Sequence, residues 1–404
     1  MILQLAWKNI WRNKKRSLII LFSTIIGVAG GILTNAIFIG MWETSVEAAI
    51  NRELSHIQIH DPRFRDEKLI NQNISDVEYV SNVIKSTPGI AHFAKRTIIE
   101  GMISSATYAG GIKIFGINPK DEFKVTSIHS KLIEGEYLQT TNKNSILIGD
   151  KLANKLNVKL NSKIVLTFQG MDNNFISASF KVKGIFKTES TVFDETVCFV
   201  NQSDIEELLS NTNLIHEIVI RVEDIDQLDN IKSVLQNKLK NLSVETWKDI
   251  APELSLTTEY LYLELNIFMG IILFGLLFGI SNTVMMSVFD RIREFGVLMA
   301  IGMKRIRIFS LIIMESILLS FTGGLIGILI GFTIIQILSK SGIDLSILES
   351  GLAAYGMSSF LYPKLPFHMY LTLGIMLTIT SIIAAITPAL RATKLKPAEA
   401  IRTF

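Results

Sequence analysis

Four apolar stretches, Leu18 to Met41, Leu265 to Phe289, Ile308 to Leu338 and Phe367 to Leu390, limit what this chain can fold into more than any other feature. Each exceeds the roughly 20 residues that a helix needs to cross a hydrocarbon core. The first two carry no charged side chain. Lipid offers no partner to a backbone N–H or C=O, so each stretch must close its hydrogen bonds internally as a helix. A hydrophobic content of 49% over 404 residues fits a chain that lies partly in lipid.

Lysines and arginines beside the spans set the orientation. The N-terminal flank holds Lys8, Arg12, Lys14, Lys15 and Arg16; the connector after the second span holds Arg291, Arg293, Lys304, Arg305 and Arg307; the tail holds Arg391, Lys394, Lys396 and Arg402. The loop from Ser339 to Pro366 has only Lys340 and Lys364. Both termini and the connector are therefore expected in the cytoplasm, and the long stretch after the first span outside. The division is then 1–17 amphipathic helix, 18–41 first span, 42–264 outer domain with a helical stalk, 265–289 second span, 290–307 connector, 308–338 third span, 339–366 outer loop, 367–390 fourth span and 391–404 tail. The net charge of +3 is accounted for by this flanking bias, which leaves no case for nucleic-acid binding.

In the flank, Leu3, Ala6, Trp7, Ile10 and Trp11 follow helical spacing opposite Lys8, Arg12 and Lys15, the pattern of a helix lying at the membrane surface. Thr34-Asn-Ala36 offers a signal-peptide cleavage site, but the apolar run is long for a signal core, so the segment is expected to stay as an anchor. Beyond it, Ser55 to His60 alternates as a strand. Ser75-Asp-Val-Glu78 reads as a capping box opening a helix to Lys85, and Ser203-Asp-Ile-Glu206 reads as a second. Strand patterns follow at 97–104, 108–115, 146–148, 163–168, 180–186, 196–200, 216–222 and 242–246, with a helix at 227–239. The expected fold is α+β: four transmembrane helices with one large extracytoplasmic α+β domain, in one or two lobes, between the first and second spans. Glu253 to Glu264 extends this domain into the second span as a stalk. Cys198 has no partner for an intrachain disulfide, so the domain must rest on its core.

Small residues at four-residue spacing, Gly27 and Gly31, Gly275 and Gly279, and Gly323, Gly327 and Gly331, allow helices to approach closely within the chain or in a dimer. Pro388 is expected to mark the exit of the fourth span or a kink. Glu315 in the third span is costly in lipid unless a neighbouring helix or water bonds it, and a proton-relay role is the less favoured reading.

Catalytic patterns are missing. No Gly-Lys dipeptide exists for a nucleotide-binding loop, His216-Glu217 has Ile220 where a zinc-protease helix needs histidine, and no Gly-x-Ser-x-Gly elbow occurs. Among six histidines only His56 and His60 share a strand face, and a structural role is expected for both. No catalytic residue, metal site or bound cofactor is therefore expected.

Between the second and third spans, Asp290 to Ile301 has helical character, with Ile292, Phe295, Leu298 and Met299 on one face and Arg291 and Glu294 a turn apart on the other. This connector, Arg291-x-Arg-Glu-Phe-Gly-Val-Leu-x-Ala-Ile-Gly302, the basic start Leu5 to Ser17 and the tail Pro388 to Arg402 resemble the FtsX-like permeases of MacB and lipoprotein-releasing ABC transporters. The resemblance covers essentially the whole chain, and Ser55 to His60 with the connector resembles the lipoprotein-release branch most. It implies a permease dimer, of like or unlike chains, each docking its connector on a separate cytoplasmic ATPase that supplies ATP and Mg. Nucleotide-driven closure would pass through the spans to the outer domains. It assigns Arg291, Glu294, Gly296 and Gly302 to ATPase coupling, with Asp290, Arg293 and Phe295 beside them, and matches Glu315 to a glutamate often found early in the third span. Two departures stand out: MacB-type chains carry a fused ATPase, and the hairpin that recruits a periplasmic carrier in some lipoprotein-release permeases is short here, with only Gln169 to Ser179 in its place. Extraction of lipoproteins or other lipid-anchored cargo is the leading expectation; export of peptides or small toxic molecules, or signalling to a cell-wall hydrolase, are the alternatives.

Overall fold

The computed structural model describes residues 2–12, 14–211 and 213–394, without the side chains of Ile2 and Arg16. The tail beyond Lys394, including Lys396 and Arg402, lies outside the described residues, as does Asn13 of the basic start. Packing divides the chain into two units. One holds the described residues up to Met41, Thr258–Asp344 and those from Phe360. The other holds Trp42–Thr257 and Leu345–Ser359.

The first unit is helical. Its elements are α1 (Ile2–Arg12), α2 (Lys14–Ala49), α3 (Pro252–Asp290), α4 (Ile292–Ala300), α5 (Arg305–Ser341) and α6 (Phe367–Thr393), of which α2 and α3 extend past the unit at one end. Stretches centred on α2, α3, α5 and α6 are the four long apolar helices expected. The stalk expected before the second span is the first part of one unbroken helix, α3. α6 runs on past Pro388, which is buried within it, to Thr393.

Glycines set the closest approach. A Cβ at Gly323, Gly327 or Gly331 would lie 3.0 Å from Thr24, the Ile25 carbonyl oxygen and Ile32 respectively, so α5 rests against α2 over three successive turns. Gly31 faces Met269 and Gly27 faces Leu276, seating α2 on α3. Only a side chain of hydrogen fits these positions without moving a neighbour. Gly275 and Gly279 meet nothing within 4 Å and lie on an exposed face of α3. Between α5 and α6, the Ser316 hydroxyl donates to the Ser381 carbonyl at 3.2 Å, which satisfies a polar atom that lipid could not.

The second unit is the α+β domain. Its strands are β1 (Ile57–His60), β2 (Ile90–Ser104), β3 (Ala109–Ile117), β4 (Leu132–Gly135), β5 (Ser145–Gly149), β6 (Lys163–Gln169), β7 (Phe175–Phe186), β8 (Val197–Asn201), β9 (Glu217–Val222) and β10 (Ser243–Thr246). They pair in the order β10-β1-β9-β2-β3-β8-β5-β7-β4. Because β6 pairs with both β2 and β7, the run β2-β3-β8-β5-β7-β6 closes on itself. Closure removes open edges within that circuit, and β10 and β4 remain as the edge strands of the sheet. Alternation puts Ile164, Leu166 and Phe168 of β6 in the core with Cys198, while Lys163 and Gln169 face out. A second core lies where β10, β1 and β9 meet the helices Val77–Lys85 and Leu228–Lys238. The domain thus has two lobes sharing the long strand β2.

Several local readings shift. The helix at Val77–Lys85 is capped by Asp76, whose carboxylate accepts from Tyr79 N–H, not by Ser75. Ser203 lies inside the helix Gln202–Leu209, whose N-cap is Asn201, so its capping box does not form. β4 and the short helices Pro119–Val125, Asp150–Leu156 and Thr191–Thr196 span too few residues to show a period. The middle of the loop between the third and fourth spans, 345–359, belongs to this domain, where Glu349 pairs with Lys187 at 2.6 Å. His56 Nδ1 accepts the Val222 N–H at 3.0 Å and His60 Nε2 lies 3.3 Å from Glu245, so both rings are held by domain structure.

Candidate functional site

The connector forms α4 because its apolar residues recur at helical spacing and its end is fixed by a glycine. Phe295 is buried among side chains of α3, α5 and α6, with Leu298 and Met299 packed beside it. After Ile301 the chain reverses at Gly302, whose φ of +99° suits glycine. Gly302 N–H donates to Met299 O and Met303 N–H to Leu298 O, a Schellman closure of the helix.

Arg291, just ahead of α4, does not face solvent with Glu294 as the helical spacing suggests. It is 6% exposed, and its guanidinium turns inward to α5. Nη1 donates to both Glu315 oxygens, at 3.0 and 2.9 Å, and Nε to Glu294 at 3.1 Å. The guanidinium carbon lies 5.0 Å from the Phe295 ring centroid. Asn9 of α1 donates to Glu315 at 2.7 Å, and Arg12 of α1 bonds both oxygens of Glu294. One chain of polar contacts, Asn9–Glu315–Arg291–Glu294–Arg12, therefore ties the connector to the third span and ties α1 to both.

The magnitudes differ along this clamp. Arg291 and Glu315 are both largely buried, so removing either strands the other at a cost of about 3–5 kcal/mol. Arg12 and Glu294 are half exposed, and water screens that pair to roughly 1 kcal/mol or less. Partial burial opposes ionisation of Glu294, but the bonds from Arg12 and Arg291 prevail and hold its carboxyl below the usual carboxylate range. A small cavity of about 40 Å³ adjoins the clamp, its wall mostly apolar with Asn9, Ser17, Thr283, Ser287 and Glu315 as polar members. It has room for an ordered water.

The connector residues named from sequence thus separate into two sets. Arg291, Phe295 and Gly296 are buried, whereas Asp290, Arg293, Glu294 and Gly302 are exposed. The exposed face also carries Val297 and Ile301, the latter 80% exposed, which helical spacing alone does not single out. Asn9 and Arg12 were missed as site residues as well. Their three-residue separation on α1 was the available signal, but nothing local pointed to their partners.

Four apolar helices, an α+β domain between the first two, and a short clamped helix between the second and third define a multi-pass permease. The MacB-like periplasmic core domain matches residues 17–238, and the FtsX-like permease C-terminal domain matches 266–397. The chain belongs to this family: it is an ABC transporter permease of the MacB/LolC type. It is 25% identical to the lipoprotein-releasing system transmembrane protein LolC of Buchnera aphidicola over 82% of each chain. It is 22% identical to the ABC transporter permease YvrN of Bacillus subtilis over 99% of this chain and 98% of that one. The macrolide export ATP-binding/permease protein MacB of Campylobacter jejuni is 22% identical over 82% of this chain and 53% of its own length. Among solved structures, the periplasmic region of MacB from Actinobacillus actinomycetemcomitans matches 51% of this chain and 94% of that chain, at 13% identity and a TM-score of 0.36.

Proposed function

We propose that this chain is the permease subunit of a mechanotransmission-type ABC transporter in a bacterial inner membrane, extracting lipoproteins or similar lipid-anchored cargo. Both termini and α4 lie in the cytoplasm and the α+β domain lies outside. A separate ATPase subunit binds and hydrolyses ATP with Mg, and docks on the exposed face of α4 at Arg293, Val297 and Ile301. The observation that carries this reading is the clamp: buried Arg291 leaves α4 unable to swing freely, so a push on it moves α5 and α1 together. α3, continuous from Asp290 to Pro252, carries that displacement away from the connector as a single helix. A second permease chain pairs across the face of α3 that bears Gly275 and Gly279. This chain supplies no chemical step; its work is mechanical.

The LolC relative supports lipoprotein cargo. One observation favours the alternative, export of peptides or small toxic molecules without a hook-dependent carrier: β6 and β7 are joined by only residues 170–174, too short for a protruding hairpin. Depletion of the chain decides between them. Lipoproteins retained in the inner membrane support the lead, and correct lipoprotein placement with increased sensitivity to exported compounds supports the alternative.

A further inference from the structure

α1 has two apolar faces, although its spacing suggests one. Ala6 and Ile10 are buried in the bundle core, while Leu3, Trp7 and Trp11, four residues apart, stay exposed. Beside this stripe an open groove of about 440 Å³ runs between α1 and α5, lined by Leu3, Gln4, Trp7, Lys8 and Leu318. Leu318 belongs to the apolar run of α5, so the groove borders acyl chains there, while the flexible Lys8 stem lets its charge reach toward the headgroups.

Charge selects the kind of lipid. Lys8 lies on the groove, and Lys14 and Lys15 are exposed just beyond α1. No acidic residue precedes Glu43 in the sequence. The two carboxylates that approach α1 are already bonded, Glu315 to Asn9 and Arg291, and Glu294 to Arg12 and Arg291. Among the described residues no carboxylate pairs with Lys8, which is exposed on the groove and meets an anionic headgroup without competition.

We propose that this groove seats an anionic phospholipid of the leaflet in which α1 lies, with its phosphate against Lys8 and an acyl chain along Leu3, Trp7 and Leu318. Because Asn9 and Arg12 bond α1 to α5 and α4, an occupied seat steadies the docking helix, and lipid charge then tunes ATPase coupling. That consequence rests on the coupling role proposed above; the seat itself does not.

The test uses the full chain alone in phosphatidylcholine vesicles holding a minor fraction of brominated phosphatidylglycerol or brominated phosphatidylcholine. Quenching of Trp7 is the difference between the wild type and Trp7→Phe. The proposal expects brominated phosphatidylglycerol to be enriched at Trp7 by about five-fold, the gain one lysine makes near anionic lipid. Lys8→Gln should equalise the two lipids, and Lys14→Gln with Lys15→Gln should leave the preference largely in place. Equal quenching in the wild type, or a preference that survives Lys8→Gln, overturns the seat. No ATPase enters the measurement, so failure of the coupling role would leave this result unaffected.

Discussion

Arg291 and Glu315, 24 positions apart, form a buried ion pair in which one guanidinium nitrogen bonds both carboxylate oxygens within 3.0 Å. The pair fixes α4 to α5 at the point where a docked partner would press. Its two halves are unequal in origin: Glu315 is a charge inside an apolar span, and Arg291 is what makes that charge tolerable.

Glu315→Leu or Arg291→Met alone should lower the thermal stability of the detergent-solubilised chain, each by about 3–5 kcal/mol, because each strands a buried charge. The double variant should recover most of that loss. It should not recover ATPase stimulation, since α4 is then held by packing alone. Full coupling in the double variant would show that the pair serves stability only.

Glu294→Lys places a cation beside Arg12 and Arg291, and should impair transport while leaving the chain inserted. Adding Arg12→Glu restores an opposite pair across α1 and α4 and should return part of the activity. If the swap returns none, Glu294 acts on the docked partner and not through α1.

Glycines that look alike in sequence should behave differently. Gly327→Leu drives a side chain into the Ile25 backbone and should destabilise the monomer strongly. Gly279→Leu meets open space, so monomer stability should hold while pairing of two chains, read by cross-linking in membranes, falls. Equal destabilisation by both would remove the case for pairing at α3.

The spans were legible in the sequence because an apolar run of that length with at most one charge has few other solutions, and the glycine triple of α5 was legible as a packing stripe. The closed strand circuit was not, since β6 was recognised as a strand with nothing to show that it joins β2 to β7. The clamp was hidden for a related reason. An arginine beside a glutamate on a connector reads as a solvated pair, and only folding brings Arg291 to a span and Arg12 to Glu294. Adjacent N-cap formers hide the true cap of the first short helix: Asp76 and Ser75 are about equally suited to it, and Asp76 takes it. The domain membership of 345–359 rests on pairing across distant segments, Lys187 to Glu349, which no local pattern encodes.

His56 gives a pH signature. Burial, then the nearby Arg221 charge, pushes its pKa down from 6.5 to about 4, with Nδ1 occupied by the Val222 N–H. The unfolded chain takes up a proton near pH 6.5 that the folded domain refuses, so this group's contribution is present above that pH and is lost as pH falls toward 4. Asp194, raised by burial to about 6, acts in the opposite sense between 3.8 and 6, where the folded state keeps a proton that the unfolded state has released. Comparing wild type with His56→Asn, which keeps an acceptor near Nδ1, isolates the histidine. Unfolding of the full chain in detergent at pH 7 and pH 5 should show a smaller acid loss in the variant, and an identical loss would contradict the assignment.

The most direct test of the coupling account is purification of the chain from its own membranes with bound partners retained. The account predicts a stoichiometric ATPase subunit with the wild type, and its loss with Val297→Asp or Ile301→Asp while the permease stays folded and inserted. An ATPase retained undiminished by both variants, or none bound to the wild type, would contradict it.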